Sequence, residues 1–231
     1  MIKKDRTKKN KGFIWGLLAI IIGVFIIGGV ASTGKEKIKP VNNDALVVGK
    51  YKEGVDFNVL KSTIPSLNDD KDFSVAEFFW YGCPHCYSLE PYLQKWQSKN
   101  ETIKIKRVHP ALSSGWVVHS KTFYTLIEMG KEEKYHTDIM NAINSDRSYY
   151  STPENIATLF SDEDKNEFLK VYKTDRIEKK SLEANKISID SGLSGVPTVI
   201  INGKYITNVG MTRGNENLIS LIDAFKRYSL K

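Results

Sequence analysis

The sequence is poor in cysteine, with two residues in a chain of 231. A small secreted scaffold held together by disulfides needs more cysteines at wider spacing, so that class of protein is excluded. Seven prolines and sixteen glycines are too few for a collagen-like or linker-like chain. With 41% hydrophobic residues, the chain has enough apolar side chains to build a core, and its length fits one domain with a terminal extension.

Beyond its N-terminal part, the sequence also lacks an excess of positive charge. Residues 1–31 contain six of the 34 Lys and Arg residues and one of the 27 acidic residues, which leaves 28 bases and 26 acids elsewhere. The difference between 28 and 26 is a net charge of +2, which gives little attraction to a phosphate backbone. We therefore predict no nucleic-acid partner.

A long apolar run is present at residues 13–31, which contain no charged side chain. As a helix this run has a length of about 28 Å, close to the thickness of a bilayer core. The preceding bases place the N-terminus in the cytoplasm and the rest outside. The run is long for a signal peptide, so we favour a membrane anchor over a signal cleaved near Ala31. Both interpretations predict the bacterial cell envelope: attachment to the inner membrane, or the periplasm if the leader is cleaved.

The chain therefore divides into four predicted parts. These are a basic cytoplasmic leader at 1–12, the anchor or signal at 13–31, a polar linker at 32–44 and a folded domain at 45–231. The linker is short and polar, as expected of a tether.

The order of predicted elements in the folded domain indicates an α/β fold. Residues 73–80 are almost continuously apolar, which is typical of a central strand, and a helix at 83–99 leads to a parallel strand at 103–108. Helices are then predicted at 114–129, 132–144, 153–160, 162–173 and 175–190. Strands at 198–201 and 204–207 around Asn202-Gly203, and a helix at 215–228, complete the domain. This order predicts a thioredoxin fold with an all-helical subdomain inserted at about 112–180.

The two cysteines form the motif Cys83-Pro84-His85-Cys86. Positions three apart share one face of a helix, so the two sulfurs can form a disulfide. Proline is tolerated in the first turn, which places Cys83 at the helix N-terminus, where free N–H groups favour a thiolate. His85 adds a nearby positive charge and a donor. Cys86 lies one turn further in and is predicted to be the buried resolving thiol.

Two other interpretations of the motif are weaker. A zinc site needs four ligands, and the spacing of the four histidines from this pair is not that of a zinc finger or ribbon. A purely structural disulfide across so short a loop constrains little chain entropy. We predict neither a metal nor a cofactor.

Further candidate residues flank the motif and follow it. Glu77 interrupts the apolar strand, and a buried carboxylate there is interpreted as a proton acceptor and donor for Cys86, or alternatively as an edge residue that reaches solvent. Val196-Pro197 begins a later strand; a cis bond there exposes the backbone of Val196 to substrate, whereas a trans bond makes it an ordinary edge. Trp80 and Tyr81 are candidates for a substrate groove, with core packing as the alternative.

The segments EFFWYGCPHCYSLEP, RVHPALSSGW and SGVPTVIINGKY resemble the DsbA family of bacterial exported thiol oxidases. The likeness extends from about Tyr51 to the C-terminus. It implies a thioredoxin fold with a helical insertion, Cys83 as nucleophile, Cys86 as resolving thiol, Glu77 as buried acid and Pro197 as cis-proline. It also implies a DsbB-like, quinone-linked membrane protein as reoxidant. The long N-terminal run is a departure, because typical members have a cleaved signal.

The favoured function is transfer of the Cys83–Cys86 disulfide to reduced or unfolded exported proteins. A reductase or isomerase of the same fold is one alternative, although residues 32–72 are too short for a dimerisation domain, so we predict a monomer. A membrane-anchored binding module or chaperone is the other. The direction of electron flow depends on how strongly the folded site stabilises the thiolate, which the sequence does not determine.

Overall fold

The computed structural model describes residues 45–68 and 73–230. The predicted leader, anchor and linker lie outside the described residues. The strands are β1 (Val47–Val48), β2 (Tyr51–Lys52), β3 (Asn58–Val59), β4 (Val75–Phe78), β5 (Ile105–Val108), β6 (Thr198–Ile201) and β7 (Tyr205–Asn208). The helices are α1 (Pro84–Ser98), α2 (Val117–Glu128), α3 (Glu132–Ser145), α4 (Pro153–Ile156), α5 (Asp162–Tyr172), α6 (Asp175–Asp190), α7 (Val209–Thr212) and α8 (Asn215–Ser229).

A five-stranded sheet in the order β3-β7-β6-β4-β5 forms the centre of the described domain. All four residues of β4 are buried, and β4 pairs in parallel with β5 and antiparallel with β6, which confirms the predicted central strand. The β6–β7 hairpin turns at Asn202-Gly203, where both residues have the positive φ that a tight hairpin of this kind requires.

Helices cover both faces of this sheet. Side chains alternate between the two faces, so apolar residues on each face pack against a layer of helices. Val75 packs on one face with Leu89 and Leu93 of α1 and with the apolar side of α8. Ala76 and Phe78 point to the opposite face. Glu77 shares the direction of Val75, so the strand pattern places its carboxyl group on the α1 side.

Helices α2 to α6 lie between β5 and β6 in the chain, as the predicted insertion requires. They build a second apolar cluster around Phe79, Phe123 and Ile139, and both Cys83 and Cys86 belong to it. The cysteine motif therefore lies where the end of the sheet meets the inserted helices. In the part of the chain that the structure describes, no helix is both long and apolar enough to span a membrane.

The structure differs from the sequence prediction in its shortest elements. The predicted helix at 153–160 is α4 followed by a 3-10 turn at Ala157–Leu159. Strands β1, β2 and β3 and helix α7 were not predicted. A strand of only two residues is too short to show an alternating pattern in the sequence. Strand β3 forms only because β7 offers it hydrogen-bond partners.

Candidate active site

The N-terminus of α1 places the two cysteines on one side of the helix. Cys83 is the N-cap residue with an extended backbone, and Pro84 occupies the first helical position, where no N–H is needed. The backbone N–H of Cys86 donates to the sulfur of Cys83 over 3.3 Å. Both thiols are free in this structure. The cap therefore aims a helix N–H at the outer sulfur, which is the arrangement that stabilises a thiolate.

The two thiols have opposite electrostatic environments. Hydrogen bonds from the thiol of Cys86 and from its backbone N–H lower the pKa of Cys83 to about 6, and the N–H and charge of His85 act in the same direction. These contributions outweigh that of burial, which raises the pKa of Cys83. Cys86 is fully buried, and burial together with its hydrogen bond to Cys83 raises the pKa of Cys86 far above its usual range. The pair thus combines an outer thiolate with an inner thiol.

The loop before β6 lies against the outer sulfur. The Val196–Pro197 bond is cis, and the carbonyl oxygen of Val196 is 3.6 Å from Sγ of Cys83. Val196 and Pro197, together with His85 and Val209, line a groove of about 380 Å³. The structure therefore brings together the predicted residues of two segments that are more than a hundred positions apart.

Trp80 lies half-buried beside the motif, in a stack of aromatic and basic groups. Its indole is parallel to that of Trp116, with ring centroids 4.6 Å apart, and the guanidinium of Arg147 lies 4.8 Å from the Trp80 ring. Its N–H donates to Nδ1 of His119 over 2.9 Å. Arg147 also donates to the carbonyl of Gly82, next to Cys83. Sequence reasoning missed Arg147 because nothing in the local pattern marks it.

Tyr81 does not line a groove, which corrects the sequence prediction. Its side chain is 0% exposed and packs edge-on against Phe79. Its hydroxyl lies 3.3 Å from Nδ1 of His136. The turn after β4 points this ring into the second apolar cluster, and the packing alternative considered for it is the correct one.

Glu77 is fully buried, which excludes the alternative of an edge residue that reaches solvent. Its nearest cation is Arg107, with Nε 3.8 Å from the carboxylate. Burial and the neighbouring Glu90 carboxylate raise the pKa of Glu77 to about 8, more than Arg107 lowers it. The guanidinium of Arg107 also bonds Glu90, over 2.7 Å. A carboxyl group in this environment holds its proton to a higher pH than an ordinary glutamate does.

Sequence reasoning missed the residues that surround Glu77. Arg107 lies directly opposite it on β5, and Glu90 lies on the buried side of α1. Glu132 and His136 reach the same place from α3. The sequence does show an ionisable residue within each of these elements, which was the available signal. Only the fold shows that these residues lie close together. Among the described residues, no group of His, Cys, Asp or Glu side chains is arranged to hold a metal ion.

Comparison with known proteins gives one consistent family. A family model described as thioredoxin matches residues 68–224. The chain is 35% identical over 211 residues to the thiol:disulfide interchange protein DsbA of Azotobacter vinelandii, covering 88% of this chain and 94% of that protein. It is 36% identical to the protein of the same name from Pseudomonas aeruginosa strain PAO1, over 75% of this chain and 83% of that one. The crystal structure of Pseudomonas aeruginosa DsbA superposes with a TM-score of 0.68 at 30% identity, covering 78% of this chain and 97% of that one.

Proposed function

The chain belongs to the DsbA family of thiol:disulfide oxidoreductases, and on that premise we propose how its residues transfer a disulfide. It is a protein disulfide oxidoreductase that forms disulfides in exported proteins. In its oxidised form, a substrate thiolate attacks the sulfur of Cys83, and Cys86 leaves as a thiolate that takes up a proton. A second substrate thiolate then attacks the mixed disulfide and displaces Cys83. The substrate loses two electrons, which the cysteine pair gains.

The remaining site residues support these steps. Glu77, buried on the α1 side, gives the proton to Cys86 and takes it back on reoxidation. Val196 offers its carbonyl beside Cys83 to an extended substrate chain, and Pro197 fixes that loop in place. Trp80, stacked with Trp116 and Arg147, borders the motif without lining the groove, so a direct contact with substrate is not part of this proposal. The observation that carries the proposal is the opposite placement of the two thiols, since a stabilised outer thiolate favours the reduced enzyme and so drives the disulfide onto substrate.

The first prediction is a reduction potential closer to that of DsbA, known to be about −120 mV, than to that of thioredoxin, about −270 mV. Ionisation of Cys83 supplies part of this difference: at pH 7 a thiol with a pKa of about 6 is stabilised roughly tenfold more than one with a pKa of 9, equivalent to about 30 mV. The rest of the expectation rests on membership of the DsbA family. Equilibration with glutathione buffers of known ratio measures the potential. A value near that of thioredoxin would instead support the reductase function.

A variant tests the contribution of His85 to this potential. His85→Leu removes the positive charge but keeps the backbone N–H that faces the sulfur. We therefore expect a higher pKa for Cys83 and a potential lowered by no more than about 30 mV, since the hydrogen bonds from Cys86 remain. The pH dependence of Cys83 alkylation, measured on the same variant, reports the pKa independently.

We also propose that residues 13–31 remain as a membrane anchor, with residues 1–12 in the cytoplasm, 32–44 as a tether and the domain at 45–231 in the periplasm, where DsbA proteins work. The reoxidant is then a DsbB-like, quinone-linked membrane protein. An anchored enzyme meets a membrane partner at high effective concentration, and a polar tether lets Cys83 reach both that partner and substrates.

The third prediction concerns this anchor. We expect the full-length chain to sediment with membranes, to resist extraction by salt and to dissolve in detergent. Deletion of residues 13–31 together with the leader, replaced by a cleavable signal, serves as the soluble control. Recovery of a shortened, freely soluble protein that begins near Ser32 would contradict the anchor and leave the disulfide chemistry unaffected.

A further inference from the structure

Helix α3 of the insertion delivers two side chains to the charge cluster behind the cysteines. Glu132 and His136 are one helical turn apart on the same face. Glu132 lies 3.4 Å from Arg107, and His136 lies 3.5 Å from Glu90. Neither approaches a sulfur closely enough to be a hydrogen-bond partner in the structure. Any role in the reaction must therefore act through Glu77.

The two nitrogens of His136 face different surroundings. Nε2 points toward Glu90, inside the cluster, and Nδ1 lies 3.3 Å both from the hydroxyl of Tyr81, its hydrogen-bond partner, and from the carboxylate of Glu132. The imidazole itself is buried, whereas the side chain of Glu132 is 17% exposed. An imidazole that takes a proton on one nitrogen releases one from the other, so this ring connects the buried cluster to Glu132, a carboxylate that reaches solvent. Arg107 also reaches solvent, but a guanidinium does not give up its proton.

Several polar atoms converge on the inner side of this ring. Both carboxylate oxygens of Glu77, Nε of Arg107, one oxygen of Glu90 and Nε2 of His136 are buried and have no hydrogen-bond partner among the described residues. Internal water is typical of such groups of buried polar atoms, and water between carboxyl and imidazole groups would carry protons. The cluster therefore combines the Arg107–Glu90 ion pair with groups that can pass a proton.

We propose that His136 and Glu132 form the outward half of the proton path that begins at Glu77. The inference rests on the proposed function, in which Glu77 exchanges a proton with Cys86. During reoxidation, the thiolate of Cys83 attacks a disulfide of the oxidant and forms a mixed disulfide. Cys86 then gives its proton to Glu77 and attacks Cys83, which releases the second thiolate of the oxidant. Two electrons pass to the oxidant, and the proton leaves from Glu77 through His136 to Glu132 and solvent.

Charged and titratable groups from several elements face this path, and Cys83 and His109 adjoin it. Glu77 comes from β4, Arg107 from β5, Glu90 from α1, Tyr81 from the turn after β4, and Glu132 and His136 from α3. Burial, Glu90 and Glu132 all raise the pKa of Glu77, with burial the largest influence. Neither α3 residue is among the groups that set the pKa of Cys83. Loss of the path should therefore slow the chemistry of Cys86 and spare that of Cys83.

The test follows the reduced protein as it reacts with oxidised glutathione, using quenched samples and mass spectrometry. The first step, attack by Cys83, and the second, resolution by Cys86, are measured separately across pH. For His136→Gln we expect resolution slower by at least about tenfold at pH 7, less than the roughly hundredfold of a direct proton donor because water partly replaces the ring. The difference in resolution rate between this variant and the wild type should become smaller at high pH, where hydroxide removes the Cys86 proton. Glu132→Gln should show the same pattern more weakly.

Glu133→Gln is the matched control for Glu132→Gln. Glu133 carries the same charge on the same turn of α3 but is exposed and pairs with the exposed Lys104. The substitution Glu133→Gln should leave the rates of both steps unchanged. The double variant Glu77→Gln/His136→Gln should be no slower than Glu77→Gln alone.

Two results would overturn the path. One is normal resolution in both α3 variants while Glu77→Gln is slow, which leaves the proposed role of Glu77 intact. The other is equal slowing of both steps, or equal slowing by Glu133→Gln, which indicates a structural or general electrostatic effect. Normal resolution in Glu77→Gln itself would instead remove the role of Glu77 on which the path depends.

Discussion

Cys83→Ser should abolish disulfide transfer, whereas Cys86→Ala should stop the reaction at the mixed disulfide. The sulfur of Cys83 is the one beside Val196 and the groove, and it is the one with a lowered pKa. Serine keeps the shape but supplies neither a disulfide nor a thiolate. We expect oxidation of a reduced, unfolded substrate protein to fall by about 10³-fold or more, as when other enzymes lose a nucleophile.

Cys86→Ala keeps the outer thiol and removes the thiol that resolves it. Mixed disulfides between Cys83 and its partners should therefore accumulate and survive non-reducing electrophoresis. Removal of the hydrogen bonds from the Cys86 thiol should also raise the pKa of Cys83, which alkylation measures. Full activity of Cys83→Ser in an assay of protein folding would favour a binding module or chaperone over an oxidoreductase.

The elements that carry the cysteine motif could be predicted because their signals are local. A strand buried on both faces is almost continuously apolar, as β4 is apart from Glu77, and Pro84 marks the first turn of α1. The motif then places Cys83 at the cap without any knowledge of the rest of the fold. The hairpin after β6 is equally local, because Asn202-Gly203 accepts positive φ.

The surroundings of Glu77 could not be predicted in the same way. Arg107 reaches the cluster because β5 aligns with β4 at that position, and His136 reaches it because α3 packs against α1. Neither register nor helix packing is visible in the separate segments. The position of Tyr81 could not be predicted either, since an aromatic residue before a cysteine motif fits a groove and a core equally well. Only the packing of the inserted helices determines that its side chain is buried.

Glu77→Gln should slow each step that changes the protonation of Cys86 by roughly a hundredfold, the usual contribution of a positioned proton donor. The amide fits the same space but neither takes up nor releases a proton at neutral pH. The rate of Cys83 attack on a small disulfide should change much less, since the main influences on the pKa of Cys83 come from Cys86 and His85 and only a weaker charge repulsion links it to Glu77. Stopped-flow measurements of both steps across pH give the comparison.

The same substitution should make the protein more stable at neutral pH. The pKa of Glu77 is about 8 in the fold against 4.5 as its ordinary value, so the folded state binds one proton more than the unfolded state between these two pH values. Stability from this group is therefore complete below pH 4.5 and falls as pH rises toward 8, by at most about 1.4 kcal/mol per pH unit. Glu77→Gln removes this slope, with a gain of up to about 3 kcal/mol at pH 7.

Glu90→Gln provides the control of opposite sign. Although burial raises the pKa of Glu90, the neighbouring His136 imidazole and the charge of Arg107 lower it to about 2. Its contribution is present above pH 4.5 and is lost as pH falls toward 2, so this variant should be less stable than wild type at pH 7. Urea unfolding of the oxidised proteins, in which Cys83 does not titrate, measures both curves. If the Glu77→Gln curve runs parallel to that of wild type from pH 5 to 8, then Glu77 does not carry a proton at neutral pH. It could not then serve Cys86 in the way proposed, because a carboxylate already ionised in the fold has no proton to give.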